Sequence, residues 1–312
     1  MPPASTPPPG APAEIAPLRA EVLTWFAANA RDLPWRAPDR TAWGVLVSEV
    51  MLQQTPVVRV LPVWTAWMAR WPAPSDLAAA STADVLRAWD RLGYPRRALR
   101  LQECARAVVD RHGGAVPRAE SALLELPGVG AYTAAAVVAF AHGGRSVVLD
   151  TNVRRVLARA LGGVALPAPS QTAAEVRRAA AAVPAGEREA AAWAAASMEL
   201  GALVCTARSP RCDACPIAAR CAWRAAGYPP DAHAARRRTQ AWTGTDRQAR
   251  GRIMALLRDA ARPVPPTGID AVWPERDQLR RSLAGLVADG LVEELRGAAG
   301  PSGYRLPVSP AR

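Results

Sequence analysis

A chain of 312 residues carrying a formal net charge of +12, half of it hydrophobic, has room for two or three domains and suits a polyanionic partner. It contains no apolar run long enough to span a bilayer and no signal-peptide pattern at its start, so the expectation is a soluble cytoplasmic protein. All 39 basic residues are Arg, and without a lysine amine a lysine-dependent Schiff-base lyase step is excluded.

Residues 1–14 are rich in Pro and Ala and read as a disordered tail. The apolar spacing of Ile15, Leu18, Val22, Leu23, Trp25 and Phe26 predicts an amphipathic helix to Ala30, which Arg31 to Arg36, containing Pro34, interrupts. Trp43 to Gln54 reads as the next helix, with Val47, Val50 and Met51 facing inward. Glu49 sits within this apolar segment, after Ser48 and ahead of Gln53, Gln54 and Thr55; a single Glu on a helix is usually solvated. Leu61 to Trp71, Thr82 to Trp89, Arg96 to Arg111 and Ser121 to Leu126 continue a run of short helices. No segment here alternates as a strand does, so the main body reads as all-α.

The stretch from Glu120 to Asn152 reads as two helices joined by Leu126-Pro127-Gly128-Val129-Gly130. Pro127 cannot continue the first helix, while Gly128 and Gly130 allow backbone angles and a close approach that side chains would block. The second helix opens with bare N–H groups, an end that attracts phosphate. One helix further on stands Asp150, heading Thr151 to Leu161. It reads either as a plain N-cap or as a carboxylate held beside a nucleic-acid backbone.

Cys205, Cys212, Cys215 and Cys221 follow the order C-x6-C-x2-C-x5-C, with only Cys104 elsewhere. Four thiols this close in an intracellular chain indicate a metal site, and the spacing alone leaves zinc and an iron–sulfur cluster both open. Arg208 and Arg211 lie in the first loop, and the basic excess from Cys205 to Arg252 should lie against phosphates. Residues 229–247 read as a linker. From 248 to 312 a separate module begins. Ile253, Leu256 and Leu257 mark one helix, and Leu279, Leu283, Leu286 and Val287 another; 290–295 and 304–306 read as strands flanking a turn over 297–303. Helix, helix and β-hairpin resembles a winged-helix-like module, whose task the fold does not settle.

Leu46 to Thr55, Leu92-Gly93-Tyr94, Leu126 to Gly130, Leu149 to Asn152 and the four-cysteine loop together resemble the A/G-specific adenine DNA glycosylases of the helix-hairpin-helix superfamily, which also includes endonuclease III. The resemblance covers roughly residues 15 to 225. It implies a two-domain all-α glycosylase with a DNA-filled cleft: residues 34–144 form a six-helix domain, and 15–33 join 145–228 in a cluster domain. It implies a [4Fe–4S] cluster on the four cysteines, and removal of adenine opposite 8-oxoguanine or guanine from double-stranded DNA by a monomer of the bacterial nucleoid. By the same resemblance Glu49 protonates adenine and Asp150 stabilises or traps the cationic sugar. Tyr132 and Asn152 lie beside that sugar, and Arg31, Leu33, Trp35 and Val57 line the adenine pocket. Gln54 and Tyr94 wedge into the duplex, while Thr55 and Leu92 touch the opposite base.

Tyr132 separates close relatives, because the endonuclease III branch has its Schiff-base lysine there; a monofunctional enzyme is expected. The chain departs from the family pattern at Pro95, where a second Tyr is common, at Thr151, where Gly is usual, and at Ala195, where a Gln or Glu often faces adenine. The winged-helix-like module also replaces the usual Nudix-like domain. The rival readings are a bifunctional pyrimidine-damage glycosylase/AP lyase and a non-enzymatic iron–sulfur DNA-binding regulator.

Overall fold

The structure, a computed structural model, describes residues 12–237, 242–298 and 300–308, so most of the N-terminal tail expected over 1–14 lies outside the described residues. The helices are α1 (Pro12–Asn29), α2 (Ala42–Leu52), α3 (Val57–Arg70), α4 (Pro74–Ala79), α5 (Thr82–Ala88), α6 (Arg96–His112), α7 (Glu120–Leu124) and α8 (Ala131–His142). They continue as α9 (Thr151–Ala160), α10 (Ala173–Ala182), α11 (Glu187–Leu203), α12 (Ala222–Ala225), α13 (Asp246–Asp259), α14 (Pro266–Asp270) and α15 (Arg276–Ala288), followed by strands β1 (Glu293–Gly297) and β2 (Gly300–Arg305). The body is all-α and the strands belong to the C-terminal module. Among the described residues no helix is long and apolar enough to cross a membrane.

Local chemistry sets many of these boundaries. Ser81, Asp150, Thr172 and Thr245 each accept the N–H three residues on, opening α5, α9, α10 and α13 as N-caps do. Gly113 and Gly143 close α6 and α8 in the left-handed conformation. The helix expected from Leu61 begins earlier, at Val57, and runs through Pro62. That ring lies on the exposed face, where water can satisfy the carbonyl it leaves without a donor.

Contacts divide the chain into two units. One comprises residues 12–42, 118–120 and 130–237 of the described chain. Its core joins Ile15, Leu18 and Val22 of α1, Val153, Val156 and Leu157 of α9, and Trp193, Ala196 and Leu200 of α11. Each Val, Leu or Ile among them contributes about 1.5–3 kcal/mol when fully buried. A second cluster sets Ala135, Ala136 and Ala139 of α8 against Ala194 of α11, small residues that let the two helices approach closely. α11 also approaches α9 closely at Gly201, where a Cβ would stand 2.7 Å from the Asn152 Cβ and 2.9 Å from its carbonyl oxygen.

The other unit comprises residues 43–117, 121–129, 242–298 and 300–308. Trp67 is the centre of its core, with Trp71 and Trp89 edge-on at centroid distances of 4.7 and 5.7 Å. Gln102 of α6 is buried and donates to the Leu77 and Ala80 carbonyls, tying α4 to α6. In the C-terminal module α13 packs on α15, with Ile253, Leu257, Leu279 and Leu286 buried, and α13 also packs on α5.

That module departs from expectation in three ways. The turn expected over 297–303 is shorter, because β1 and β2 pair from Glu293↔Arg305 to Gly297↔Gly300, with an irregularity between Leu295 and Arg296. Val264 bridges to Tyr304, and α14 precedes α15, so the order is helix, bridge, helix, helix, hairpin. The linker ends early, since Thr245 caps α13.

Candidate active site and cluster loop

In the unit that holds α2 to α6, Glu49 is 5% exposed on α2, which removes the solvated-surface reading. Ser48 beside it donates to the Val45 carbonyl at 2.7 Å. The chain leaves α2 through Gln54, whose φ of 55° is left-handed, and the α5–α6 connection carries Tyr94 with φ 47°. Gln54 is exposed, as is the ring of Tyr94. Thr55 and Leu92 instead face inward; the Thr55 hydroxyl donates to the Leu92 carbonyl at 3.2 Å. Val57 is half-buried in the first turn of α3.

Arg97 joins these two loops, and sequence reasoning missed it. Its guanidinium donates to the carbonyls of Val50 (2.8 Å), Gln53 (2.6 Å) and Gly93 (3.1 Å), and to the Thr55 hydroxyl (3.0 Å). Burial lowers its pKa to about 10, so it remains a cation at neutral pH. A signal existed in its place just after Gly93-Tyr94-Pro95, where a tight turn leaves carbonyls needing donors.

Gly128 and Gly130 differ in what they require. Gly128 has φ +77°, and a Cβ there would stand 2.9 Å from the Arg100 Cβ, so both conformation and space demand glycine. Gly130 is extended, with nothing within 4 Å of an added Cβ, and as N-cap it offers no side-chain bond to α8. Gly130 therefore gives the N–H groups opening α8 no side-chain cap.

Asp150, Tyr132, Asn152 and Arg31 belong to the other unit. Asp150 is the N-cap of α9: one carboxylate oxygen accepts the Val153 N–H at 2.7 Å and the other the Asn152 side-chain amide at 2.8 Å. Burial raises its pKa above the usual carboxylate value, and these hydrogen bonds oppose the rise. Both sequence readings of Asp150 thus start from one geometry, a cap that is also a constrained charge. Asn152 in turn accepts from Arg155 at 2.7 Å, and Arg155 donates to the carbonyls of Gly201 (2.7 Å) and Cys205 (2.6 Å). Tyr132 is partly buried against the cluster formed by α8 and Ala194.

Arg31 does not stand alone. Glu199 of α11, its side chain wholly buried, accepts from the Arg31 Nε and Nη2, each at 2.7 Å, from the Arg31 backbone N–H at 3.0 Å and from Arg36 at 3.0 Å. Despite the cost of burial, these bonds hold the Glu199 carboxyl at about 2, well below its ordinary value. Leu33 and Trp35 follow on the same segment and are buried, at 4% and 5% exposed. Sequence reasoning passed over Glu199, since one Glu in a helix carries no mark of burial.

The four cysteines are unpaired thiols that line one recess, together with Val156, Arg159, Ala160, Ile217 and Trp223, of about 400 Å³ including space open to solvent. Among the described residues no three His, Cys, Asp or Glu side chains converge as a single ion requires. One recess lined by all four thiols fits a group larger than a single ion, such as a cube of iron and sulfide held by a thiolate at each iron. Burial pushes Cys215 up to about 11, with the neighbouring cysteines adding to the rise, so loading must displace protons. Arg159, 3% exposed, donates to the Cys205 sulfur at 3.3 Å and the Thr206 carbonyl at 2.7 Å, and lies 4.5 Å from the Trp223 ring centroid. It supplies positive charge where thiolates gather. Arg208 is exposed on the loop, and Arg211 is anchored through the Leu203 carbonyl.

Residues 47–181 match the family described as HhH-GPD superfamily base excision DNA repair protein, and residues 205–221 match the iron–sulfur binding domain of endonuclease III. A thermostable thymine-DNA glycosylase of known structure superimposes with a TM-score of 0.61 at 27% identity, covering 69% of this chain and 98% of that one. The hairpin and cysteine loop thus define the class: an iron–sulfur, helix-hairpin-helix DNA glycosylase carrying a [4Fe–4S] cluster, whose substrate is DNA.

The adenine DNA glycosylase of Mycolicibacterium smegmatis is 52% identical over 275 residues, covering 88% of this chain and 92% of that protein. The human adenine DNA glycosylase is 42% identical over 219 residues, covering 67% of this chain and 40% of that one. The chain belongs to the adenine DNA glycosylases of base excision repair. The mycobacterial match is longer than the whole stretch up to Arg247, so it extends into the C-terminal module.

Proposed function

We propose that the chain acts as a monomer on adenine mispaired with 8-oxoguanine or guanine, and that it hydrolyses the N-glycosidic bond without cleaving the strand. The observation that carries this reading is Asp150, a carboxylate locked by the first turn of α9 and by Asn152, heading the helix that follows the glycine hairpin and α8.

Adenine is a poor leaving group until a ring nitrogen is protonated, and the departing base leaves a sugar with oxocarbenium character. Glu49 donates that proton. Asp150 holds a negative charge for the cationic sugar or bonds to it covalently until water completes the hydrolysis, and Asn152 fixes the carboxylate's direction. Tyr132 stands where a Schiff-base lysine would act, and with no lysine in the chain the sugar is released by water.

The base must first leave the stack, which costs a few kcal/mol. Gln54 and Tyr94 enter the duplex as wedges, while Thr55 and Leu92 support the face toward the opposite base. Arg31, Leu33, Trp35 and Val57 receive the adenine, and Glu199 fixes Arg31. Gly128 and Gly130 let the hairpin meet phosphate, joined by Arg208 and Arg211. Cys205, Cys212, Cys215 and Cys221 are the ligands fit to hold the cluster, which when bound stiffens the loop presenting those arginines.

Single-turnover excision on duplexes carrying A:8-oxoG, A:G and A:T tests the reading. Adenine release is expected from both mispairs and not from A:T. Glu49→Gln keeps the side-chain shape and removes the acid, so it should bind duplex and release no adenine; near-normal turnover by that variant refutes the assignment.

A further inference from the structure

Arg247 lies exposed in the first turn of α13, its guanidinium carbon 4.3 Å from the Tyr94 ring centroid and 5.4 Å from that of Trp242. Arg97 lies 5.6 Å from the same tyrosine ring. Trp242 is held in turn, because its carbonyl accepts the Thr245 hydroxyl at 2.7 Å and its ring lies near Gly251. A second contact falls two residues beyond Tyr94. Asp289, which ends α15, accepts from Arg250 of the module and also pairs with Arg96 at 3.3 Å. The C-terminal module thus meets the connection before α6 at Tyr94 and again at Arg96, where α6 begins. Tyr94 within it keeps a left-handed backbone that non-glycine residues hold only when their surroundings impose it.

From this geometry we infer that the C-terminal module positions Tyr94 for entry into the duplex, with Arg247 as the positioning residue; the inference rests on the reading of Tyr94 as a wedge. An exposed tyrosine ring left to itself exchanges rotamers. A planar cation laid on its face, backed by a second aromatic ring, removes that freedom before DNA arrives. On this inference the module acts on the loop that parts the strands. Arg247 has the shape for this task, whereas a lysine would bring the charge without the plane.

The test uses the full-length, iron-loaded enzyme and a duplex in which 2-aminopurine replaces the target adenine and reports its displacement. Adenine release by wild type and loss of displacement in Tyr94→Leu check the underlying reading separately. Arg247→Ala and Arg247→Lys should each slow displacement by about two- to fivefold, the effect of losing one exposed cation–π stack. Iron content and melting temperature should not change, and Arg247→Ala should add nothing further in the Tyr94→Leu background. The proposal is overturned if Arg247→Lys behaves as wild type while Arg247→Ala only reduces the salt slope of binding by about one on every duplex, as for a phosphate contact. Additive effects of the Arg247 and Tyr94 changes on displacement would overturn it equally.

Discussion

Replacing Glu199 by Gln should destabilise the protein and disable adenine release together, although Glu199 itself is assigned no chemistry. The carboxylate is wholly buried and accepts four hydrogen bonds from Arg31 and Arg36. Its pKa falls from 4.5 to about 2; at 1.36 kcal/mol per unit the ionised form gains about 3 kcal/mol from folding. Glutamine keeps the volume but turns an amide group toward a guanidinium, so that stabilisation is lost; Glu199→Ala removes the same bonds and also leaves a cavity, so its deficit should be at least as large. The sign follows from a depressed carboxylate. Its contribution is complete above the unfolded value near 4.5 and disappears as pH falls toward 2, so between pH 5 and 8 the deficit should be constant. Urea denaturation of iron-loaded wild type and variant at pH 5, 6.5 and 8, followed by far-ultraviolet dichroism, reads the difference, and single-turnover excision reads the displaced Arg31. A deficit below about 1 kcal/mol, the worth of an exposed ion pair, or one that changes across this range, would refute the reasoning.

Three further outcomes are expected. Asp150 has a raised pKa, so excision should fall as pH drops through a value above the ordinary 3.8, with burial the cause; Asp150→Asn keeps an N-cap, should lose most activity, and should match or exceed wild type in melting temperature at pH 7, because the ionised form is the one that folding penalises. Gly201→Ala forces a Cβ into the Asn152 backbone and should cost about 1–3 kcal/mol with loss of excision, and normal activity in that variant would mean the α9–α11 approach does not position Asn152. Incubation with an A:8-oxoG duplex should leave an intact abasic strand until alkali is added, with little protein trapped by borohydride; efficient cleavage without alkali would reveal another nucleophile, such as the N-terminal amine.

What could be read from the sequence was local. The four cysteines stand within seventeen positions, and the hairpin announces itself through Pro127, Gly128 and Gly130. Asp150 was visible because an N-cap is a property of adjacent residues. Arg97, Arg155 and Arg159 were not, since they donate chiefly to backbone carbonyls, and every residue offers one of those. Glu199 escaped for a related reason: its partners Arg31 and Arg36 lie more than 160 positions away. Glu49 was picked out by family resemblance against a general preference for solvation, and its burial became visible only when the helix was placed. The third strand position at Val264 is a single bridge, too short for alternation to mark.

The left-handed backbone at Gln54 and Tyr94 sets selection for durability against selection for repair. Each conformation costs a non-glycine residue roughly 1 kcal/mol or more, a strain that glycine would relieve. A screen that rewards heat resistance alone should therefore drift toward glycine at these two positions. It would then discard the two side chains proposed to open the duplex, and on that proposal would yield a protein that survives longer and mends nothing.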